Sequence, residues 1–263
     1  MDQVDQKEWS EFIEDYPLYF KTCIRIKEYA REDEEQNSRR MIPFEMNQAQ
    51  MITHLVAEKQ LRDIGMVRIC VLKARRMGLS TYIQARGFRY CITRMNHHTH
   101  ICAHHSTASS HIFEMARQMD AHYPVALKQK KKASNKQELI YDTKDGKGLS
   151  SRYSISTAGE GKSKDAGAST RSGDIDFLHS SEVAFWLGDV SNFVDGMFET
   201  VLGKGTENWM ETTANGIGGY YHTFYKKITD KDYEGDWIFL FFPPYIYPKY
   251  RIEFESEEEK EAF

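Results

Sequence analysis

The sequence predicts an α/β fold: a mostly parallel central sheet with helices on both faces. Three observations carry that expectation. Val67-Arg-Ile-Cys-Val-Leu72 is a short β-branched run with few polar interruptions, the pattern of a strand buried on both faces. From there to Phe242, strand-like and helix-like segments alternate several times. The 263 residues are 40% apolar and include 15 Tyr, 15 Phe and 4 Trp, enough material for one large buried core.

Taken in order, residues 8–35 have a helical pattern, and their acidic end Arg31-Glu-Asp-Glu-Glu35 reads as solvated surface. Pro43-Phe44 opens the segment Glu45-Met-Asn-Gln-Ala-Gln-Met51, followed by a helix ending near Gln60. After the strand at 67–72, a loop leads at Ser80-Thr81 into a helix running to about Thr93, and a second strand spans Thr99–Ala103. Ser106 is placed to cap a helix whose Ile112, Met115, Ala116 and Met119 fall at i, i+3, i+4 and i+7. Glu138–Thr143 and Leu149–Ser156 flank Lys144-Asp-Gly-Lys-Gly148 and read as an inserted β-hairpin. Ile175–His179 is another strand. In the helix at 190–202, Val190, Phe193, Val194, Met197, Phe198 and Val201 form one apolar stripe, the pattern of a core-facing helix. Trp209–Thr213 and Trp237–Phe242 complete the strands. The division that results is a helical lead-in at 1–40, one α/β domain at 41–245 and a linker beginning at 246–263.

A net charge of −4, from 35 Lys+Arg against 39 Asp+Glu, excludes a uniformly basic nucleic-acid coat but leaves room for a local basic groove. No apolar run approaches the roughly 18–20 residues that cross a bilayer. The polar start MDQVDQKEWSEF lacks a secretory signal. Cys23, Cys70, Cys91 and Cys102 contain no Cys-x-x-Cys pair and read as free thiols of a reducing compartment. A soluble intracellular chain is expected.

The first loop after a strand is Leu72-Lys-Ala-Arg-Arg-Met-Gly-Leu-Ser-Thr81. A phosphate loop reads G-x-x-x-x-G-K-[ST], with backbone N–H groups and a helix dipole holding phosphate. Gly78 and Ser80 match the second glycine and the hydroxyl, whereas Lys73 stands in the first glycine's place and Leu79 replaces the lysine. Lys73, Arg75 and Arg76 crowd one short loop, and three like charges there call for an anion. Gly161-Lys162-Ser163 ends like such a loop, but Ser156 occupies the glycine position and no apolar strand immediately precedes it, so it reads as a polar loop. An ATPase also needs an acidic residue after a neighbouring strand. Glu182 supplies it at the end of Asp176-Phe-Leu-His-Ser-Ser-Glu182, while the aspartate usual just before it is Ser181.

These pieces occur in a fixed order with Glu211-Thr-Thr-Ala-Asn-Gly216 and Pro43-Phe-Glu-Met-Asn-Gln-Ala-Gln50. Together, over about residues 20–255, they resemble the large terminase subunit of tailed bacteriophages, the ATP-driven motor that packages DNA. The resemblance implies a P-loop ATPase of the additional-strand, catalytic-glutamate type, using ATP and Mg²⁺. It implies that Gln50, rather than Gln48, reads the adenine. Lys73, Arg75 and Arg76 bind phosphate with the loop residues Met77, Gly78, Leu79, Ser80 and Thr81, and Ser80 ligates Mg²⁺ with Glu182 contributing partly through water. Glu182 and Arg76 are catalytic, and Thr212, Thr213 and Asn215 form the coupling motif. Arg171 serves as an arginine finger toward a neighbouring subunit, worth roughly 4–7 kcal/mol from a rate factor of about 10³–10⁵. Implied partners are double-stranded DNA, the viral portal and procapsid, the small terminase subunit, and further copies in a ring, expected as a pentamer, with a monomer as the alternative in isolation. The place of action is the host cytoplasm and, transiently, the procapsid portal. The chain ends after Pro243-Pro244 and an acidic tail, so an isolated ATPase domain without nuclease activity is expected.

Other readings stand beside this one. Strand alternation puts His98 and His100 of the cluster His97-His-Thr-His100 on one face, yet no carboxylate or cysteine at ligand spacing completes a zinc site. Lys128-Gln-Lys-Lys-Lys132, with Lys136, is either a solvated loop or a contact to a phosphate backbone. A nucleotide- or DNA-binding module with a decayed phosphate loop, and a related helicase, are the alternatives to the motor.

Overall fold

The computed structural model describes residues 3–28, 40–158, 174–246 and 256–258. The N-terminal segment is where it departs furthest from expectation. Instead of one helix over 8–35 there are two, α1 (Gln3–Glu14) and α2 (Tyr16–Cys23), followed by a strand β1 (Arg25–Lys27) paired antiparallel with β2 (Met41–Pro43). Asp15 breaks the helix because its side chain accepts a hydrogen bond from Leu18 N and restarts the chain at Pro17. Tyr16, Tyr19, Phe20 and Cys23 are buried at helical spacing, and Ile24 then turns extended. The run Arg31–Glu35 lies outside the described residues.

Helix α3 (Gln48–Ile64) runs one turn past Gln60 and stops at Gly65, whose φ of +79° suits glycine. Strand β3 (Val67–Lys73) leads through the phosphate-loop segment into α4 (Leu79–Thr93), and β4 (His98–Ala103) into α5 (Ser106–Ala121). His105, not Ser106, caps α5: its Nδ1 accepts from Ala108 N. A two-residue strand β5 (Ala133–Ser134) precedes β6 (Glu138–Tyr141) and β7 (Ser151–Thr157). Then come β8 (Phe177–Ser181), α6 (Val190–Phe198), β9 (Glu207–Thr212), α7 (Gly219–Ile228) and β10 (Ile238–Phe242). Helix α6 is shorter than the expected 190–202, but Val201 is still buried with Val194 and Met197. Helix α7 was not legible, because Gly216, Gly218 and Gly219 crowd its start and hide its apolar face.

Eight strands form one sheet in the order β10–β3–β9–β8–β4–β7–β6–β5. The first six are parallel, and β6 and β5 close the far edge antiparallel. The hairpin expected as an insertion is thus continuous with the sheet through the β4–β7 pairing. Alternate residues of each strand go to opposite faces, as the pleat requires. Ile69, Val71, Ile101, Phe177 and Trp209 join the core under α2 to α5, while Cys70, Cys102, Leu178 and Met210 join the core under α6 and α7. All four cysteines are free and buried, and burial pushes the Cys70, Cys91 and Cys102 thiols up to about 12, so they pack as small apolar groups. Among the described residues, no helix is long and apolar enough to cross a membrane.

One topological fact positions the site. Strand β3, which leads into the Gly78 turn, and the strand β8 that precedes Glu182 are not neighbours, because β9 lies between them. Three parallel strands therefore deliver Lys73, Thr212-Thr213 and Ser181-Glu182 to the same carboxyl edge.

Candidate nucleotide site

At the end of β3 the chain makes a tight turn with two left-handed residues, Arg76 (φ +57°) and Gly78 (φ +73°). Glycine is required at the second: a Cβ there would come within 2.7 Å of Gln50 Nε2, besides the φ strain. Met77 and Leu79 are buried in the core, which anchors the turn from below. Leu79 stands where a phosphate loop carries its lysine and is buried in the core, while the buried cation at this edge is Lys73.

The turn is held from behind by the start of α3. Asn47 and Gln50 form a reciprocal capping box, Gln50 N donating to Asn47 Oδ1 (3.0 Å) and Asn47 N to Gln50 Oε1 (2.8 Å). Their amide nitrogens then reach forward, Asn47 Nδ2 to Met77 O (3.1 Å) and Gln50 Nε2 to Gly78 O (2.7 Å). Gln50, expected to read the adenine, is buried and braces the Gly78 turn, while Gln48 is exposed. Arg75 and Arg76 are exposed on the turn. Thr81 directs its hydroxyl toward Met115 Sδ (4.0 Å).

Lys73 is 7% exposed and lies between two carboxylates, 2.8 Å from Glu211 Oε2 and 3.4 Å from Glu182 Oε1. Burial alone would lower its pKa, but Glu211 and then Glu182 outweigh that and raise it, so the ammonium is charged. For Glu211, burial pulls upward, yet Lys73 and the His179 imidazole hold the carboxyl well below the usual range. Glu211 Oε1 also accepts from the hydroxyls of Ser80 and Ser181, each at 2.8 Å. Behind it, Gln84 Nε2 meets His179 Nδ1, and His179 Nε2 lies 3.3 Å from Glu211 Oε1.

Glu182 follows β8 in a left-handed conformation (φ +54°), a strained position for a non-glycine residue that the surrounding bonds must maintain. Its Oε2 accepts from Thr213 N (3.0 Å), Thr213 Oγ1 (3.1 Å) and Thr212 Oγ1 (3.4 Å). Asn215 donates to Ala184 O (2.8 Å), tying the segment after β9 to the turn after Glu182. The structure thus brings Lys73, Ser80, Glu182, Thr212 and Thr213 together, with Gln50 behind them. Arg171 and the Gly161-Lys162-Ser163 loop lie outside the described residues.

The histidines of β4 have other work. Ser154 Oγ lies 2.7 Å from His98 Nε2 and 2.8 Å from His100 Nδ1, and Ser156 Oγ lies 2.8 Å from His100 Nε2. Burial, then His98, lowers His100 to about 3, so it is neutral and serves as a hydrogen-bonding core residue. Glu211 was the residue missed. The signal available was a carboxylate directly after the apolar pair Trp209-Met210 in an expected buried strand.

No protein-family model matches the chain, and no curated protein is significantly similar to it. Solved structures are similar in fold. The large terminase of bacteriophage HK97 matches with a TM-score of 0.54 at 15% identity, over 77% of this chain and 37% of that one. The large terminase of a thermophilic bacteriophage matches with 0.51 at 15% identity, over 75% of this chain and 46% of that one. A complex of that same thermophilic phage protein with ADP matches with 0.50 at 13% identity, over 75% and 45%. The chain spans less than half the length of these structures, and it has their α/β fold with a mostly parallel sheet.

Proposed function

We propose that this chain hydrolyses ATP to drive double-stranded DNA into a viral procapsid, as the motor portion of a terminase large subunit. The observation that carries the reading is the convergence of Lys73, Ser80, Glu182 and Glu211 at the carboxyl edge of β3, β9 and β8. Such an edge is where open α/β sheets bind ligands. The residues present suit both groups. The first N–H groups of α4 have no intrahelical partner, and three cations surround the turn, which fits a polyphosphate. Ser80 beside a carboxylate is a hard-oxygen setting, which fits Mg²⁺. When bound, Mg²⁺ neutralises charge on the phosphates.

In this reading Lys73 leaves its two glutamates for the phosphates. That frees Glu182 to orient the attacking water, with Arg76 on the turn stabilising charge. Thr212, Thr213 and Asn215, already bound to Glu182 and Ala184, relay the loss of the phosphoryl group into β9 and the loop beyond. Arg171 acts on a neighbouring subunit's ATP. The thermophilic phage terminase, solved with ADP, supports nucleotide as the ligand. The portal, the small terminase subunit, a ring of further copies and the bacterial cytoplasm follow from the same reading. Lys128, Lys130, Lys131, Lys132 and Lys136 are all exposed near the antiparallel edge, where they suit a DNA backbone. Lys131 is paired there with Asp120.

Phosphate release tests the proposal. Wild-type protein is expected to turn over ATP with Mg²⁺, and Glu182→Gln to bind ATP while turnover falls about 10²–10⁴-fold. Full turnover in Glu182→Gln removes the assignment, and binding without turnover in the wild type favours a module that only binds nucleotide.

A further inference from the structure

In ATPases of this build, a P-loop hydroxyl and an aspartate at the end of the neighbouring strand hold Mg²⁺. Here that aspartate's place is taken by Ser181, which has no charge to offer. We propose that Glu211, on the intervening strand β9, is the positioning residue that supplies the missing carboxylate and aims the Ser80 hydroxyl at the metal. The inference rests on the nucleotide-site reading above and deepens it.

Three features support it. First, Glu211 Oε1 accepts hydrogen bonds from Ser80 and Ser181 at the same 2.8 Å, so one oxygen uses both hydroxyl protons. The lone pairs of both hydroxyl oxygens are then left for a hard cation. Second, Glu211 is fully buried, with the Lys73 ammonium 2.8 Å from its Oε2. A buried charge of this kind is costly to keep unless its partners are fixed. When Lys73 moves to phosphate, the carboxylate needs a new positive partner, and a divalent ion beside Ser80 provides one. Third, His179 stands behind the carboxylate, its Nε2 3.3 Å from Glu211 Oε1 and its Nδ1 against the Gln84 amide. An oriented carboxylate behind a ligand is the usual construction around a metal. One strand thus sets a whole edge of the site: Glu211 serves the hydroxyls, and the next two residues hold Glu182.

The test is binding of a fluorescent ADP analogue to the wild type and to Glu211→Gln, titrated with Mg²⁺ and repeated in EDTA. In Glu211→Gln the Mg²⁺ concentration that gives half of the metal-induced gain is expected to rise about 10–100-fold, read relative to the variant's own binding in EDTA, which the loss of a Lys73 partner also changes. An unmoved Mg²⁺ midpoint overturns the proposal. So does a loss confined to the EDTA arm, which would mean that Glu211 serves only Lys73. Glu211→Asp keeps the charge, and hence the fold, but shortens the reach to Ser80 and Ser181. It is expected to raise the midpoint too, and a wild-type midpoint in that variant also overturns the proposal. Adding Ser181→Asp to the Glu211→Gln background returns the carboxylate to β8 and is expected to restore the midpoint. If the wild type binds no nucleotide in either condition, the nucleotide reading fails and this inference with it, a result distinct from an unmoved midpoint.

Discussion

Strand β9 carries a buried glutamate at each end, and the two differ in what surrounds them. At the amino end, Glu207 is saturated. Arg86 meets it with two nitrogens at 2.7 Å, Tyr90 donates at 2.7 Å and Trp209 Nε1 at 2.8 Å. Arg86 in turn lies over the rings of Tyr16 and Tyr90 and pairs with Glu58 at 2.7 Å, so α2, α3 and α4 are tied to the sheet at one point. At the carboxyl end, Glu211 meets a flexible lysine and two small hydroxyls beside the turn that carries Arg75 and Arg76. A guanidinium fork locks a carboxylate in place, whereas an ammonium on a four-carbon stem can leave it. The same residue type, equally buried, is locked by a guanidinium at one end of the strand and paired with a movable ammonium at the other.

The largest expected effect separates the two ends by pH. Burial, followed by the charge of Arg86, lowers His54 to about 4, and burial, followed by Arg94, lowers His97 to about 3, both on the Glu207 side. His100 is lowered to about 3 as well. All three are neutral in the fold but protonate near 6.5 when unfolded. Their contribution is therefore complete above that pH and is lost as pH falls toward 3–4. Between pH 6.5 and 5 the three together should cost about 5 kcal/mol of stability, read from denaturant midpoints at each pH. A flat profile over that range would contradict the burial of these rings.

Next in size is the direct contrast. Glu207→Ala leaves Arg86 buried without its main partner and should lose about 3–5 kcal/mol by chemical denaturation. Glu211→Ala leaves Lys73 beside Glu182 and should lose less than half as much. Equal losses would dissolve the comparison. Smaller still is Gly78→Ala, expected to cost about 1–3 kcal/mol from the left-handed φ and to weaken nucleotide binding through the displaced Gln50 strut. Wild-type affinity in that variant would show that the turn does not hold the ligand.

Much of this arrangement was visible in the amino-acid order. The strand at 67–72, the turn around Gly78, the helix after it and the carboxylate after the 177–181 strand are local patterns, each complete within about ten residues. What was hidden depends on partners far away in the chain. That β9 lies between β3 and β8 follows from pairing across the sheet, and it turns Glu211 from one polar residue in a strand into the neighbour of Lys73, Ser80 and Ser181. Gln50 illustrates the same limit: its place in a capping box is local, but its bond to Gly78 O spans 28 positions. At the N-terminus, helical spacing continued to Cys23, and only the antiparallel pairing with Met41–Pro43 shows why the helix ends there. The apolar face of α7 escaped because its start is a run of glycines rather than a capping residue.

The central claim is that Lys73 exchanges its two glutamates for a triphosphate. A crystal structure of Glu182→Gln protein with ATP and Mg²⁺ tests it most directly. The expected result is the γ-phosphate against Lys73 and the metal on Ser80. Nucleotide bound elsewhere, or Lys73 still seated between positions 182 and 211 with ATP in place, would contradict it.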